Sequence, residues 1–114
     1  MDCLFCSIIN GDIPSAKVYE DELIYAFKDI DPQAPVHVLI IPKQHIKWAW
    51  DVNTDNASVV AHIFEKIPEI AKICGIKEEE GFRIVNNCGD MAGQSVKHLH
   101  FHLMSGREFT WPAG

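Results

Sequence analysis

Apolar and polar residues alternate without exception over residues 98–103, where the sequence reads His-Leu-His-Phe-His-Leu. Alternation is the period of a β-strand, so we expect the three histidines to share one face and the apolar residues to face a core. Neighbours on one face of a strand lie roughly 6.5–7 Å apart. Three imidazoles at that spacing can converge on one ligand or metal, so this segment is the first candidate for a functional site.

Helical spacing of apolar residues occurs in two other places. Residues 3–10 have this spacing, and Gly11 is expected to end a short N-terminal helix there. A longer helix is expected to end at Gly75, and Pro68 inside it is expected to kink or break it, giving one bent helix or two. Its buried stripe is predicted to contain Val60, Ile63, Phe64, Ile67, Ala71 and Cys74.

Strand patterns account for most of the remaining chain. Residues 17–20 and 23–27 are predicted to form a hairpin, 36–41 a strand that ends at Pro42, and 82–86 a strand before the histidine segment. Because most of these strands are joined by short turns, we predict an α+β fold with a mainly antiparallel sheet, one long helix and a short N-terminal helix. The chain shows no repeat or linker, so residues 1–114 are expected to form a single domain.

Composition and charge narrow the possible functions. The 114 residues are 47% hydrophobic and 23% charged, which is ordinary for a globular protein, and the net charge is −6. That acidic balance argues against a nucleic-acid polymer as partner. No apolar run is long enough for a membrane span, and the first residues do not resemble a signal peptide. We therefore expect a cytoplasmic protein that does not bind membranes.

Small and polar residues precede the histidine segment. Gly89, Gly93, Gln94 and Ser95 form a loop of the kind that approaches a phosphate group closely. Because the chain has no basic field, a phosphate would be held locally, by backbone N–H groups and histidines.

Four separated motifs together resemble the histidine triad superfamily. They are the segment 94–104 around the alternating histidines, residues 29–37, residues 41–45, and the terminal Trp-Pro-Ala-Gly at 111–114. Nearly the whole chain is covered, in the family's order and spacing. Gln-Ser-Val before the triad and the terminal motif resemble the histidine triad nucleotide-binding branch, from which Ala113 and Pro68 depart.

The resemblance implies an enzyme, a purine nucleoside phosphoramidate hydrolase. It would release AMP or GMP and an amine through a covalent nucleotidyl-histidine on His100. By the same resemblance, His102 contacts the phosphate oxygens, Ser95 lies beside the leaving group, and His37 supports the nucleophile. The general acid stays open among Ser95, His37 and His98.

The resemblance also implies a nucleotide-binding surface. Asn86 and Gln94 would line the phosphate pocket, and Asp29 would accept hydrogen bonds from the ribose hydroxyls. An apolar purine slot, expected to discriminate poorly between adenine and guanine, would contain Leu4, Phe5, Ile8, Phe27, Ile30 and Leu39.

Cys3-x-x-Cys6 has the spacing of half a zinc site. Some family members with this pair bind zinc, and the corresponding histidines here are His45 and His98. Such a Cys₂His₂ site would be full, so its zinc would be structural. The alternative is two buried thiols in a short helix.

Other functions stay open at this stage. His98, His100 and His37 could hold a catalytic zinc in a metal hydrolase. The chain could also be a non-catalytic nucleotide-binding protein, or a dinucleoside polyphosphate hydrolase of the neighbouring family branch. The resemblance further implies a homodimer built from the long helix and residues 82–86, with Trp111 reaching the partner's active site.

Overall fold

A computed structural model describes residues 3–114; Met1 and Asp2 of the expected domain lie outside the described residues. The helices are α1 (Leu4–Ile9), a short 3₁₀ turn (Ala49–Asp51) and α2 (Ala57–Ile73). The strands are β1 (Lys17–Glu20), β2 (Ile24–Lys28), β3 (Val36–Pro42), β4 (Arg83–Val85) and β5 (Phe101–Ser105).

The five strands form one antiparallel sheet in the order β1-β2-β3-β5-β4. Chain-neighbouring strands pair through β1–β2–β3, whereas β5 inserts between β3 and β4. This arrangement confirms the predicted α+β class and antiparallel sheet, and it places β3 and β5 side by side at the centre.

Helix α2 covers one face of the sheet. Its buried side chains are Val59, Ile63, Ile67, Ile70 and Ala71, of which all but Ala71 join the inward residues of β2, β3 and β5 in one core cluster. The predicted buried stripe was therefore right at Ile63, Ile67 and Ala71. It was wrong at Phe64, which remains 50% exposed. Pro68 lies on the exposed side of α2, and the helix continues through it, so the predicted break into two helices was wrong.

Helix α1 covers the opposite face of the sheet. Phe5 and Ile8 pack with Phe27, Leu39 and other side chains that point away from α2. Helix α1 ends before Gly11, whose φ of 82° is readily adopted only by glycine, as the sequence predicted.

The turn between β1 and β2 is tied to α2 through Asp21. Its Oδ1 accepts hydrogen bonds from the backbone N–H groups of Leu23 and Ile24, and its Oδ2 accepts from His62 Nε2–H at 2.7 Å and from the Tyr19 hydroxyl at 2.9 Å. Burial opposes ionisation, but the donors, led by His62, hold the pKa of Asp21 well below its usual range. The hydrogen bond to Asp21 in turn raises the pKa of Tyr19 to about 12.

The histidine segment enters the sheet later than the alternation predicted. Strand β5 begins at Phe101, so His98 and His100 lie in the segment just before it. The hydrogen-bond ladder with β3 stops there because the Leu99 N–H donates to the Ile46 carbonyl, and the Pro42 carbonyl accepts a hydrogen bond from the His98 ring. The alternation of faces nevertheless holds: the apolar residues at 99, 101 and 103 lie in the α2 core. No helix of the described residues is long and apolar enough to cross a membrane.

Candidate active site and adjoining metal-ligand cluster

The candidate nucleophile is held by the backbone of its own segment. His100 is 4% exposed, and its Nδ1 lies 2.7 Å from the carbonyl oxygen of His98. A carbonyl only accepts, so His100 Nδ1–H must donate, which leaves the lone pair on Nε2. Burial lowers the pKa of His100. The ring is therefore neutral near pH 7, with its nucleophilic nitrogen fixed.

His98 is held in the opposite sense. Its Nε2–H donates to the Pro42 carbonyl at 2.8 Å, so the lone pair lies on Nδ1. The ring is fully buried, and burial lowers its pKa to about 4. Both ring nitrogens are thus engaged away from the neighbouring His100. This geometry disfavours His98 among the three general-acid candidates that the sequence left open.

The lone pair of His98 points into a cluster of four metal-ligating side chains. Its Nδ1 lies 3.3 Å from Cys3 Sγ, 3.6 Å from Cys6 Sγ and 3.2 Å from His45 Nδ1, and Cys6 Sγ lies 3.4 Å from His45 Nδ1. In a tetrahedral zinc site, ligand sulfur and nitrogen atoms are roughly 3.6 Å apart, and two nitrogens roughly 3.4 Å. The structure thus gathers all four predicted ligands at distances that suit zinc.

The chemistry of these donors also suits a divalent cation. Burial, followed by the neighbouring Cys3, raises the pKa of the Cys6 thiol to about 11. A cation between the two sulfurs would supply the positive charge that thiolates need in this place. The Cys6 N–H···Sγ contact to Cys3, at 3.4 Å, already orients the first sulfur at the start of α1.

Two further histidines, His37 and His102, face each other across the two central strands. His37 on β3 and His102 on β5 meet with Nε2 and Nδ1 2.8 Å apart. His37 Nδ1 accepts the backbone N–H of Gln33 at 2.9 Å, so the proton of the neutral ring sits on Nε2 and points at His102. Asp29 Oδ2 lies 3.4 Å from the same His37 nitrogen. Burial first, and then the nearby His100 and His37, lower the pKa of His102 to about 4.

These contacts bear on the metal-hydrolase alternative. Among the described residues, two groups could hold a metal: the Cys₂His₂ cluster, and Asp29 with His37 and His102. The expected trio of His98, His100 and His37 is not one of them, because His98 belongs to the first cluster. In the second group His37 has no lone pair to offer, since Nδ1 accepts a hydrogen bond and Nε2 carries the proton. That observation disfavours a catalytic metal here.

The residues expected around the phosphate take different positions. Asn86 Nδ2 donates to the His100 carbonyl at 2.9 Å, so this residue braces the nucleophile's backbone. Gln94 is buried and all its amide hydrogen bonds stay within the protein: Oε1 accepts from Gly89 N, and Nε2 donates to the Lys47 and Val96 carbonyls. Gln94 therefore shapes the loop instead of lining an open pocket. Ser95, next to it, is exposed.

The apolar residues expected to form the purine slot divide into two groups. Phe5, Ile8, Phe27 and Leu39 are buried in the α1 core, where Phe5 also packs edge-on against His100 at 5.1 Å between ring centres. Leu4 is 47% exposed and Ile30 is fully exposed. Ile30 follows Asp29 directly in the chain, so an exposed apolar side chain adjoins the carboxylate expected to bind ribose.

Sequence reasoning missed the backbone groups that fix the rings. The Gln33 N–H fixes the tautomer of His37, and the Pro42 carbonyl fixes that of His98. No pattern of side chains in the sequence indicates either backbone group. The only signal available is placement, because Gln33 stands four residues before His37 in a loop between two prolines.

The chain is similar to known proteins over nearly its whole length. A family model described as HIT domain matches residues 10–109. An uncharacterized HIT-like protein of Synechocystis is 45% identical over 113 residues, covering 99% of this chain and 97% of the relative. A 14 kDa zinc-binding protein of Brassica juncea is 41% identical over 115 residues, covering 99% and 100% respectively.

Solved structures agree as well. The crystal structure of a HIT family hydrolase from Legionella pneumophila superposes with a TM-score of 0.94 at 48% identity, covering 99% of this chain and all of the other. A histidine triad protein from Clostridium difficile gives a TM-score of 0.91 at 47% identity, covering 96% and 95%.

Proposed function

The chain belongs to the HIT family, whose solved members include hydrolases, and from this premise we propose that it hydrolyses purine nucleoside phosphoramidates through a nucleotidyl-histidine on His100. One observation carries the proposal. His100 is buried and neutral, and its Nδ1–H is held by a backbone carbonyl, so Nε2 is presented as a nucleophile without any further base.

The reaction would proceed in two displacements. In the first, the His100 Nε2 lone pair forms a bond to phosphorus while the P–N bond breaks, and the leaving nitrogen takes that electron pair and a proton. The positive charge on the nucleotidyl imidazole is then stabilised by the His98 carbonyl at Nδ1–H. In the second, water attacks phosphorus and gives up a proton to solvent, the P–Nε2 bond breaks with its electron pair returning to Nε2, and the nucleoside monophosphate leaves.

His102 would serve as a hydrogen-bond donor to the phosphoryl oxygens. Because its pKa is lowered to about 4, mainly by burial, it is a neutral imidazole at pH 7. A neutral donor stabilises charge that develops on the oxygens and does not give up its proton easily. The His37 proton is directed at His102, so we assign proton delivery to the leaving amine to Ser95, the exposed hydroxyl of the loop, or to water beside it.

Nucleotide recognition would involve Asp29 and the apolar side chains near it. Asp29 Oδ1 already accepts the Asp31 N–H, which orients the carboxylate, and Oδ2, which lies 3.4 Å from His37 Nε2, would accept hydrogen bonds from the ribose hydroxyls with its remaining lone pair. The purine would contact Ile30 and the edge of the core that includes Phe5, Ile8, Phe27 and Leu39. Apolar contacts of this kind do not distinguish adenine from guanine.

The Cys3, Cys6, His45 and His98 cluster is proposed to bind a structural zinc ion. Its donor set and distances support this proposal, as does its similarity to the zinc-binding protein of Brassica juncea. All four coordination positions would be filled by protein, so the ion would join α1 to the segment before β5 and take no part in the reaction.

A homodimer is also proposed. Among the strands of residues 3–114, β4 is the last in the sheet and pairs on one side only. Phe64 on α2 and Phe82 beside β4 are about half exposed. A two-fold axis near this edge would cover both side chains. The exposed Trp111 would then be able to contact the partner.

The test is release of AMP from adenosine 5′-phosphoramidate, with and without removal of zinc by a chelator. We expect release to survive chelation in protein that stays folded. His100→Gly should abolish the covalent adduct, detected as a mass increase after acid-free quenching, while AMP binding is retained. His62→Gly is the matched control, because His62 lies on α2 next to Asp21 and should keep the adduct.

Other outcomes identify other functions. An adduct that persists in His100→Gly would place the nucleophile elsewhere. Loss of release on chelation without loss of fold, restored by zinc, would favour the metal hydrolase. Absence of release together with cleavage of a dinucleoside polyphosphate would favour the neighbouring branch, and AMP binding without any turnover would leave a nucleotide-binding protein.

A further inference from the structure

Gln33 is held at three points in the loop before β3. Its backbone N–H donates to His37 Nδ1 at 2.9 Å, and its carbonyl accepts Arg107 Nε–H at 3.0 Å. Its side-chain Nε2 donates to the Asp31 carbonyl at 2.9 Å. A loop residue fixed in this way presents its N–H in one direction.

The same loop is packed against the turn that follows β5. Gly106 adopts a φ of 99°, and a Cβ built there would lie 2.8 Å from Cβ of Pro35. Only glycine therefore fits against this proline. Together with the Arg107–Gln33 hydrogen bond, this contact joins the loop before one catalytic strand to the turn after the other.

We propose that the backbone N–H of Gln33, held in place by Gly106 and Arg107, fixes the protonation pattern of His37 and His102. Because an N–H can only donate, His37 Nδ1 must accept, and the one proton of the neutral ring lies on Nε2. That proton is directed at His102 Nδ1, 2.8 Å away. His102 must then carry its own proton on Nε2.

The groups around this pair agree with the assignment. Asp29 Oδ2, 3.4 Å from His37 Nε2, is a second acceptor for the same proton. The ring of His100 lies against His102 at 5.2 Å between centres, but its Nδ1–H is already committed to the His98 carbonyl. The Gln33 N–H, acting through His37, therefore places the His102 proton on Nε2, whereas the His98 carbonyl places the His100 proton on Nδ1.

The proposed reaction requires opposite tautomers of His100 and His102. This link to catalysis rests on the proposed function, whereas the assignment of the tautomers does not. His100 must offer a lone pair at Nε2, whereas His102 must offer a donor at Nε2. With the proton of His37 moved to Nδ1, His102 Nδ1 would have to donate. Its Nε2 lone pair would then face the phosphoryl oxygens and repel them. Gln33 is thus a positioning residue that acts through two histidines.

The experiment is long-range ¹H–¹⁵N NMR on protein labelled at histidine, which reports directly which ring nitrogen is protonated. We expect His37 and His102 to be protonated on Nε2 and His100 on Nδ1 at pH 7. Gln33→Ala keeps the backbone N–H and should leave these states unchanged. Gln33→Pro removes the N–H, and mixed tautomers of His37 and His102 should result.

Kinetics on the same variants test the consequence. Gln33→Pro should lower kcat about 10- to 100-fold with little change in KM, as loss of an orienting partner commonly does, whereas Gln33→Ala should retain kcat. If Gln33→Pro does not fold, Arg107→Ala provides a second test, because it releases the Gln33 carbonyl and should give the same mixed tautomers. Arg107→Lys should restore the wild-type tautomers in part.

The two proposals fail in distinguishable ways. A wild-type protein with His37 or His102 protonated on Nδ1 overturns this inference, whatever its activity. Unchanged tautomers in both Gln33→Pro and Arg107→Ala overturn it as well. The expected tautomers in a protein that cleaves no phosphoramidate would uphold this inference and refute the proposed function.

Discussion

If the Cys3, Cys6, His45 and His98 cluster binds zinc as proposed, removing the ion should loosen α1 and leave the rest of the fold in place. Helix α1 has six residues, which is too short for a helix to persist on its own in water. It is held by Phe5 and Ile8, which are 4% and 8% exposed, and by the ligand cluster at its first turn. Without a metal, the burial of these two apolar side chains is the main contribution that remains to hold it.

The magnitude follows from these contacts. Burying one side chain of this size contributes about 1.5–3 kcal/mol, so detaching α1 from the metal-free protein costs about 3–6 kcal/mol before the chain entropy gained on release is subtracted. A metal that binds only the attached state adds about 2.7 kcal/mol when its free concentration is 100 times Kd. That increment corresponds to about 100-fold slower amide exchange through local opening.

Hydrogen exchange measured by mass spectrometry tests this prediction. The informative amides are those of Ser7, Asn10 and Gly11, which donate within α1 and its C-terminal turn. They should exchange about 100-fold more slowly with zinc than after chelation, whereas amides in the middle of α2 should not change. Cys6→Ser should reproduce the chelated state at any zinc concentration, and Cys74→Ser, outside the cluster, should behave as wild type around α1.

Equal protection of α1 with and without zinc would refute the reasoning. It would mean that apolar burial alone holds the helix and that the cluster is two buried thiols beside two histidines. A uniform loss of protection over α2 and the sheet would refute it differently, since the ion would then support the whole domain.

Three further predictions follow from other contacts. The pKa of His102 is lowered to about 4, first by burial and then by neighbouring histidines. As pH falls below about 6.5, His102 therefore gains a proton in the unfolded chain before it does so in the folded protein. The free energy of unfolding measured in urea titrations should decrease between pH 6.5 and 4, and it should decrease less steeply in His102→Gln. Asp21→Asn should lower the pKa of Tyr19 from about 12 toward 10, measured by spectroscopic titration, and it should lower the free energy of unfolding by about 1–3 kcal/mol. An unchanged Tyr19 pKa would contradict the assigned hydrogen bond. Phe64→Glu should convert a micromolar dimer to monomer in sedimentation velocity, because Phe64 lies in the proposed interface. Leu23→Glu should not, because Leu23 is about equally exposed but lies between β1 and β2, on the side of the sheet opposite β4. A wild-type monomer would contradict the proposed dimer.

The features that the sequence predicted well depend on local periodicity. The alternation around His100 placed its apolar neighbours correctly in the core, and glycines marked the ends of both helices. Pro68 misled the prediction because its cost depends on exposure, which periodicity alone does not report. On the solvent side of α2, the carbonyl that loses its partner can be hydrated, so the helix continues.

The features that sequence could not supply are long-range backbone contacts. Strand β5 begins late because the Leu99 N–H finds Ile46 instead of a strand partner. Gln94 was expected at a phosphate, and in the fold its amide is consumed by three loop groups. Neither outcome follows from residue type, because any residue offers the same N–H and carbonyl. The resemblance to a known family supplied the four-ligand set, whereas the tautomers required coordinates.

His98 shows why the metal-ligand cluster and the nucleophile have to be considered together. Its Nδ1 faces the two cysteines, its Nε2–H donates to the Pro42 carbonyl, and its own carbonyl fixes the His100 tautomer. The carbonyl and the ring belong to the same residue, so contacts that hold the ring also constrain the position of the carbonyl. The ring is held from both sides, and one of those sides is the cluster. A structural ion placed there would therefore act on the orientation of the nucleophile while remaining remote from the reacting phosphorus.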